Sequence, residues 1–328
     1  MFRWGILSTA KIGLDHVIPA LADSENGTVA AIASRDSDRS RAVADRFGAP
    51  HAFGSYDEML TSGTVDGVYI PLPTSQHVEW AIKSADAGLH VLVEKPLALK
   101  ASDIQPVIDA RDRNKVLISE AFMVTYHPQW EKVRDLIRSG AIGTLKHVQG
   151  AFSYFNTDPA NMRNQVSLGG GGLPDIGVYP TVSTRFATGM EPKRVHAIVD
   201  FDPTFGTDRF ANVTADFGDF LMTFYCSTQM ALRQEMVFHG DRGVITVHSP
   251  FNAGEYGDHV VTVWDQTHSH ADTYRFAGTR QYKLEAESFV EAADGGSTPV
   301  FSLESSVANQ KVIDAIFASN EAGNWVDV

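Results

Sequence analysis

Two short stretches of the chain hold residues whose types and spacing suit chemistry. Glu94-Lys95-Pro96 closes the apolar run 89–93. A charged pair at the end of a buried strand is costly unless it faces a polar site. Pro96 keeps the residue before it extended, so the pattern points the Lys95 ammonium into a cleft. Asp175 and Tyr179 are four residues apart at the start of an expected helix, on one face of it. They follow directly on glycines 169–172, a tetrad that permits close backbone approach. Read singly, Asp175 is a helix cap and Tyr179 a core tyrosine; beside the tetrad they read as a site. A free phenol titrates near ~10, too high for a good base at neutral pH, and a neighbouring ammonium lowers that value. Removing a proton from an alcohol needs such a base. The reading therefore makes Tyr179 the acid/base, Lys95 its electrostatic partner and substrate anchor, and Asp175 an orienting acceptor.

A second set of residues suits a phosphate-bearing ligand. Ser8-Thr9-Ala10-Lys11-Ile12-Gly13 follows the first apolar run and occupies the place of a glycine-rich phosphate turn, with Ser8 and Ala10 where the first two glycines would stand. Small residues there and a helix N-terminus behind them favour an anion. After the second run come Ser34 and Arg35, with Arg39 four residues on. An acidic residue at this strand end would hold a ribose 2′-hydroxyl. An arginine pairs instead with a 2′-phosphate, so the expected cofactor is NADP rather than NAD, although Asp36 and Asp38 stand close by. Leu72, Pro73, Thr74 and His77 follow the fourth run, Glu94 and Lys95 the fifth, Ala121 the sixth; all are expected to touch the cofactor, with His77 and Glu94 placing the nicotinamide ribose. Phe122, Tyr154 and Arg163 are candidate substrate contacts, and Phe152, Tyr154 and Phe155 a candidate pocket floor. Cys226, the single cysteine, sits in an apolar run and reads as a structural thiol. No metal site is expected: there is no H-E-x-x-H, and one cysteine excludes a multi-thiolate zinc site.

These residues need a scaffold that gathers strand ends. Apolar runs at 2–7, 28–33, 51–53, 65–70, 89–93 and 116–119 alternate with helical patterns at 14–21, 37–47, 75–87 and 102–114. Such alternation implies a doubly wound parallel sheet of the Rossmann type, whose ligands bind outside the carboxyl ends of the strands. Pro19 should kink the first helix. One further helix is marked by Trp130, Val133 and Ile137. Strand-like runs then dominate, at 146–155, 194–201, 210–217, 220–227, 234–238, 243–248 and 260–264, before helices at 281–293 and 302–318. The expected fold class is α/β: an N-terminal Rossmann domain over 1–121, and an α+β domain over 122–328 with a large, mostly antiparallel, open-faced sheet. Helix 302–318 is a candidate to pack back on the first domain.

The formal charge of −13 repels phosphate backbones, which argues against nucleic acid as a partner. No window has the ~18 apolar residues of a membrane span, and the N-terminal apolar segment is too short for a signal sequence. A cytoplasmic location is expected.

The strings 8–13, Pro73-x-x-x-His77, Gly88-Leu-His-Val-Leu-Val-Glu-Lys-Pro96 and Gly172-x-x-Asp175-x-Gly-x-Tyr179 together resemble the glucose-fructose oxidoreductase / inositol dehydrogenase / rhizopine-catabolism family over essentially the whole chain. Trp4-Gly5-Ile6-Leu7-Ser8, Ser34-Arg35-Asp36, Glu120-Ala121-Phe122-Met123 and His127-Pro128-Gln129 are similar to its NADP-dependent D-xylose dehydrogenases and dimeric trans-dihydrodiol dehydrogenases. Tyr179, where sugar dehydrogenases of the family often carry histidine, and the glycine-poor turn both fit that subgroup. The resemblance implies that Lys95 is the central catalytic lysine and that Arg35 and Arg39 hold the 2′-phosphate. It implies hydride transfer to or from a sugar or cyclic polyol, and a homodimer or homotetramer formed through the second-domain sheet. Two alternatives stay open: NADPH-dependent reduction of a keto-sugar, and a non-catalytic dinucleotide-binding regulator.

Overall fold

The computed structural model describes residues 1–328 in two compact units, Met1–Tyr126 with Arg280–Val307, and His127–Thr279 with Ala308–Val328. In the first, strands β1 (Phe2–Leu7), β2 (Gly27–Ala33), β3 (His51–Phe53), β4 (Gly67–Ile70), β5 (His90–Glu94) and β6 (Ile118–Ala121) form one sheet in the order β3-β2-β1-β4-β5-β6. All neighbours are parallel. The order reverses between β1 and β4, which is where such sheets open a crevice for ligands. Both faces are buried, so the strands carry apolar side chains on successive residues rather than alternate ones. Leu7, Val68, Ile70, Val91 and Val93 pack to one side. Trp4, Ile6, Tyr69 and Leu92 pack to the other.

Helices α1 (Ile18–Ala22), α2 (Ser37–Phe47), α3 (Tyr56–Thr61), α4 (His77–Asp86) and α5 (Gln105–Asn114) connect the strands. Pro19 does not break the first of them. The turns before it, Gly13–Val17, are wide π turns, and the proline falls in the first turn of the regular segment, where an amide donor is dispensable.

The second unit opens with α6 (Pro128–Arg138) and carries α7 (Val178–Thr188). Its sheet contains β7 (Leu145–Phe155), β8 (Arg194–Phe201), β9 (Asp208–Asp216), β10 (Leu221–Ser227), β11 (Gln229–Gly240), β12 (Gly243–Val247), β13 (Val260–Asp265) and β14 (Ala271–Arg275). Every pairing is antiparallel except β7 with β10. Period-two alternation separates a covered face, with Val195, Ala197 and Val199 on β8, from an open one where Ile198 is 65% exposed and Leu221 45%.

The chain then supplies α8 (Gln281–Ala293), α9 (Leu303–Ala322) and β15 (Val326–Asp327), the last pairing with β8. Residues 280–307, placed with the second domain in the sequence reading, lie in the first unit. The reason is apolar: Ala286, Phe289 and Val290 of α8 close the Trp4 face of the parallel sheet, with Phe289 and Trp4 rings 5.2 Å apart.

Candidate functional site

The turn after β1 starts with a strained residue. Ser8 has φ 138, a region that side chains avoid and glycine accepts, and its hydroxyl accepts from the Ala10 amide at 3.0 Å. The serine thus takes the conformation of the glycine it replaces. Thr9 is buried and its carbonyl accepts from Arg39 Nη2 at 3.2 Å. Lys11 is exposed and pairs with Asp15.

After β2, Ser34 is buried and accepts from the Asp36 amide at 3.2 Å. The Asp36 carboxylate accepts from the amides of Asp38 at 3.0 Å and Arg39 at 3.1 Å, capping α2. The aspartate that could have served a ribose hydroxyl is therefore committed to its own helix. Arg35 and Arg39 are exposed at this strand end. Arg35 hydrogen-bonds the Tyr56 phenol, which burial nevertheless keeps above its ordinary value. The donors present fit a 2′-phosphorylated dinucleotide: two guanidinium groups, one tied to the phosphate turn.

After β4, Leu72 and Thr74 are buried and Pro73 half-buried. His77, expected beside the ribose, is 1% exposed. Its Nδ1 lies 2.8 Å from the Pro96 carbonyl and its Nε2 2.7 Å from the Leu72 carbonyl. Both ring nitrogens are spent on backbone, which corrects the reading of His77 as a cofactor contact. Burial, with Lys95 adding to it, lowers its pKa to about 4.

After β5, Glu94 and Lys95 are half-buried, and the Lys95–Pro96 peptide is cis. Glu94 accepts from Tyr69 Oη at 2.6 Å, and burial with that carboxylate raises the Tyr69 phenol well above its ordinary range. Glu120, at the end of β6, is buried and accepts from the Leu97 amide at 2.8 Å, holding the segment that follows Lys95. Ala121 is buried. Phe122 is fully buried against Phe301, ring centroids 4.8 Å apart, so the structure gives it a packing role in place of the expected substrate contact.

In the second unit the glycine tetrad has a definite cause. Gly170 lies where a Cβ would come within 2.5 Å of the Met162 and Arg163 carbonyls. Gly171 has φ 137, and a Cβ on it would collide with Asp208 Oδ1. Asp208, 3% exposed at the start of β9, accepts from the Leu173 amide at 2.5 Å and from the Gly172 amide, so it caps the wide turns Leu173–Gly177 that lead into α7. Burial raises its pKa to about 7 against those bonds.

The cap role expected of Asp175 is thus filled by Asp208, and Asp175 is turned to other partners. Its Oδ2 accepts from Tyr154 Oη at 2.6 Å and from Arg163 Nε at 2.7 Å. The side chains of Asp175 and Arg163 are 12% and 39% exposed. Asp175, then the phenols of Tyr154 and Tyr179, hold the Arg163 guanidinium above its ordinary value. Tyr179, 5% exposed, lies against Phe152 (5.6 Å) and Phe251 (5.5 Å), which stack on each other at 4.8 Å. Phe155, offered as pocket floor, points to the opposite face of β7 and is 68% exposed.

Sequence reasoning missed Asp208 and Phe251. Phe251 sits in the segment between β12 and β13, which is fixed by buried side chains: Gln129 Nε2 donates to the Ser249 and Pro250 carbonyls, Trp130 Nε1 to Pro250, and Gln234 bonds Asn252 in both directions. No group of three His, Cys, Asp or Glu side chains is placed to hold a metal, and no helix is long and apolar enough to cross a membrane.

A reversed parallel sheet with an anion turn, joined in one chain to a sheet that carries a phenol–carboxylate–guanidinium cluster, defines a dinucleotide-dependent oxidoreductase class. Residues 2–122 match the oxidoreductase family with NAD-binding Rossmann fold, and residues 130–246 the GFO/IDH/MocA C-terminal domain. The chain is 44% identical over 333 residues to an uncharacterized oxidoreductase of Rhizobium meliloti, covering 100% of this chain and 99% of that one. It is 36% identical over 327 residues to D-xylose 1-dehydrogenase (NADP(+)) 2 of Haloferax volcanii, covering 99% of each. Among solved structures, a mutant of KijD10, a 3-ketoreductase from Actinomadura kijaniata in complex with TDP-benzene and NADP, superposes with a TM-score of 0.91 at 27% identity over 97% of each chain. The protein belongs to the GFO/IDH/MocA family of oxidoreductases.

Proposed function

We propose that this protein is an NADP-dependent dehydrogenase that oxidises a hydroxyl-bearing carbon of an aldose or cyclic diol. The observation that carries the cofactor choice is the commitment of Asp36 to the α2 amides beside two arginines. Arg35 and Arg39 would hold the 2′-phosphate, Ser8, Thr9, Ala10, Lys11 and Ile12 the pyrophosphate, and Leu72, Pro73, Thr74, Glu94 and Ala121 the rest of the dinucleotide. NADP supplies the nicotinamide carbon that accepts hydride.

Tyr179 takes the substrate's hydroxyl proton onto its phenolic oxygen. The Phe152–Phe251 stack beside its ring holds it in place. Asp175 takes the Tyr154 hydroxyl proton and the Arg163 Nε–H, which leaves the other Arg163 N–H groups as fixed donors and the Tyr154 oxygen as an acceptor for a sugar's hydroxyls. The Arg163–Asp175 pair is neutral as a unit, which suits an uncharged polyol. Lys95 is the substrate anchor. The open face of the second-unit sheet, with Ile198 and Leu221 exposed, is the surface through which a homodimer or homotetramer would form.

A second reading, NADPH-dependent reduction of a keto-sugar, is favoured by the likeness to a 3-ketoreductase. Thermal shift with NADP and NAD comes first, then turnover of NADP with an aldose and diol panel against NADPH with a keto-sugar panel. The proposal expects stabilisation by NADP and turnover in the first panel. Activity confined to the second panel replaces it with the reductase. Tight NADP binding with no turnover in either would make the protein a dinucleotide-binding regulator.

A further inference from the structure

His77 opens α4, and its buried ring bridges two carbonyls. One belongs to Leu72, in the segment leaving β4. The other belongs to Pro96, in the segment leaving β5. These strands are neighbours in the sheet, with Ile70 opposite Val93. Beyond those residues the strand ladder stops, and the ring spans the two segments that leave it. Lys95 is the residue directly before the bridged carbonyl at Pro96. Its ammonium is near enough to depress the basicity of the imidazole, after the larger effect of burial.

We infer that His77 is a positioning residue for Lys95: by spanning the Leu72 and Pro96 carbonyls it fixes the separation of two strand-end segments and thereby the place of the lysine's ammonium. The inference rests on the reading of Lys95 as a substrate anchor. Histidine suits this task better than the cations. With a pKa held at about 4 the ring is neutral near pH 7 and does not repel the ammonium beside it. A neutral imidazole carries one N–H, so it donates to one of the two carbonyls while the other faces the unprotonated nitrogen. Truncation would leave a buried carbonyl without its donor and open a gap between the segments. A shift of about 1 Å in a group that must meet the reacting atoms costs roughly 10²-fold in rate.

The test uses the full chain in four variants. His77→Ala should lower kcat by roughly 10²-fold and weaken NADP binding much less, since the ring contacts the Leu72 and Pro96 carbonyls and not the dinucleotide. His77→Asn places its amide where Nδ1 stood, and His77→Gln where Nε2 stood. One of the two should restore most of kcat, which identifies the carbonyl that carries the proton. A kcat unchanged in His77→Ala overturns the inference. So does a parallel loss of kcat and NADP affinity with no rescue, which would make the histidine part of the cofactor site or of the fold. Should the alanine variant fail to fold, equal and undiminished kcat in the two amide variants also overturns it, since neither carbonyl then needs its own donor. Lys95→Met separates the two claims. If it turns over like the wild type, the reading of Lys95 fails and takes the inference with it. If it is inactive while His77→Ala is fully active, only the positioning role fails.

Discussion

Gly171→Ala tests the account of the glycine tetrad. The residue has φ 137, outside the range of ordinary side chains, and a backbone held there by alanine costs about 1–3 kcal/mol. The new Cβ would also collide with Asp208 Oδ1. Moving that carboxylate weakens a charge-assisted bond to the Leu173 amide, which contributes about 1.5–3 kcal/mol. Together the cost is about 3–6 kcal/mol. At roughly 2–4 °C per kcal/mol for a unit of this size, the melting temperature should fall by on the order of 10 °C. Gly189→Ala is the control: its φ is 69 and nothing lies within 4 Å of the added methyl, so only the left-handed strain of about 1–2 kcal/mol applies. The assay is paired thermal unfolding with kcat measured below both transitions. Gly171→Ala should also lose kcat, because the displaced cap begins the segment that carries Asp175 and Tyr179. If Gly171→Ala unfolds no earlier than Gly189→Ala, the close approach to Asp208 is not what demands glycine here.

Arg39→Ala should weaken NADP binding by roughly ten-fold or more, the loss of one charge-assisted pair, and leave NAD binding unchanged in parallel titrations. Acid should destabilise the fold through two buried histidines. His77 and His127 have folded pKa values of about 4 and about 3 against 6.5, so the unfolded chain takes up their protons first and stability is lost as pH falls from about 6.5 towards those values. Denaturant melts against pH should show a shallower acid limb in His127→Asn than in the wild type. Asp208 has the opposite sign: its pKa is raised to about 7 from 3.8, so stability is lost as pH rises through that interval. The stability difference between Asp208→Asn and the wild type should therefore move in the variant's favour between about pH 4 and about pH 7.

The parallel sheet was readable in the sequence because its strands are short, apolar on both faces and separated by clear caps such as Asp36 and Gly48. Pro19 misled locally, because helical spacing cannot reveal the wide turns of Gly13–Val17 that accommodate it. Membership of α8 in the first unit was hidden as well, since a buried stripe does not say which sheet it covers. At the candidate site, the strand-end rule singled out Lys95, Arg35 and Arg39 for the proposed roles, and the glycine tetrad drew attention to Asp175 and Tyr179. It could not say why the glycines were there. The cause, Asp208, lies 35 residues beyond Leu173, whose amide it accepts from. Phe251 carries no motif, and its place follows from Gln129, Trp130 and Gln234 bonding the segment around it. His77 was found for its type, but the two carbonyls it meets become visible only with β4 and β5 side by side.

The most direct measurement is single-turnover hydride transfer in wild type, Lys95→Met and Tyr179→Phe, with NADP affinity titrated on the same samples. The account predicts that both variants bind NADP as the wild type does and transfer hydride at least ~10²-fold more slowly. Wild-type transfer rates in either variant would contradict it.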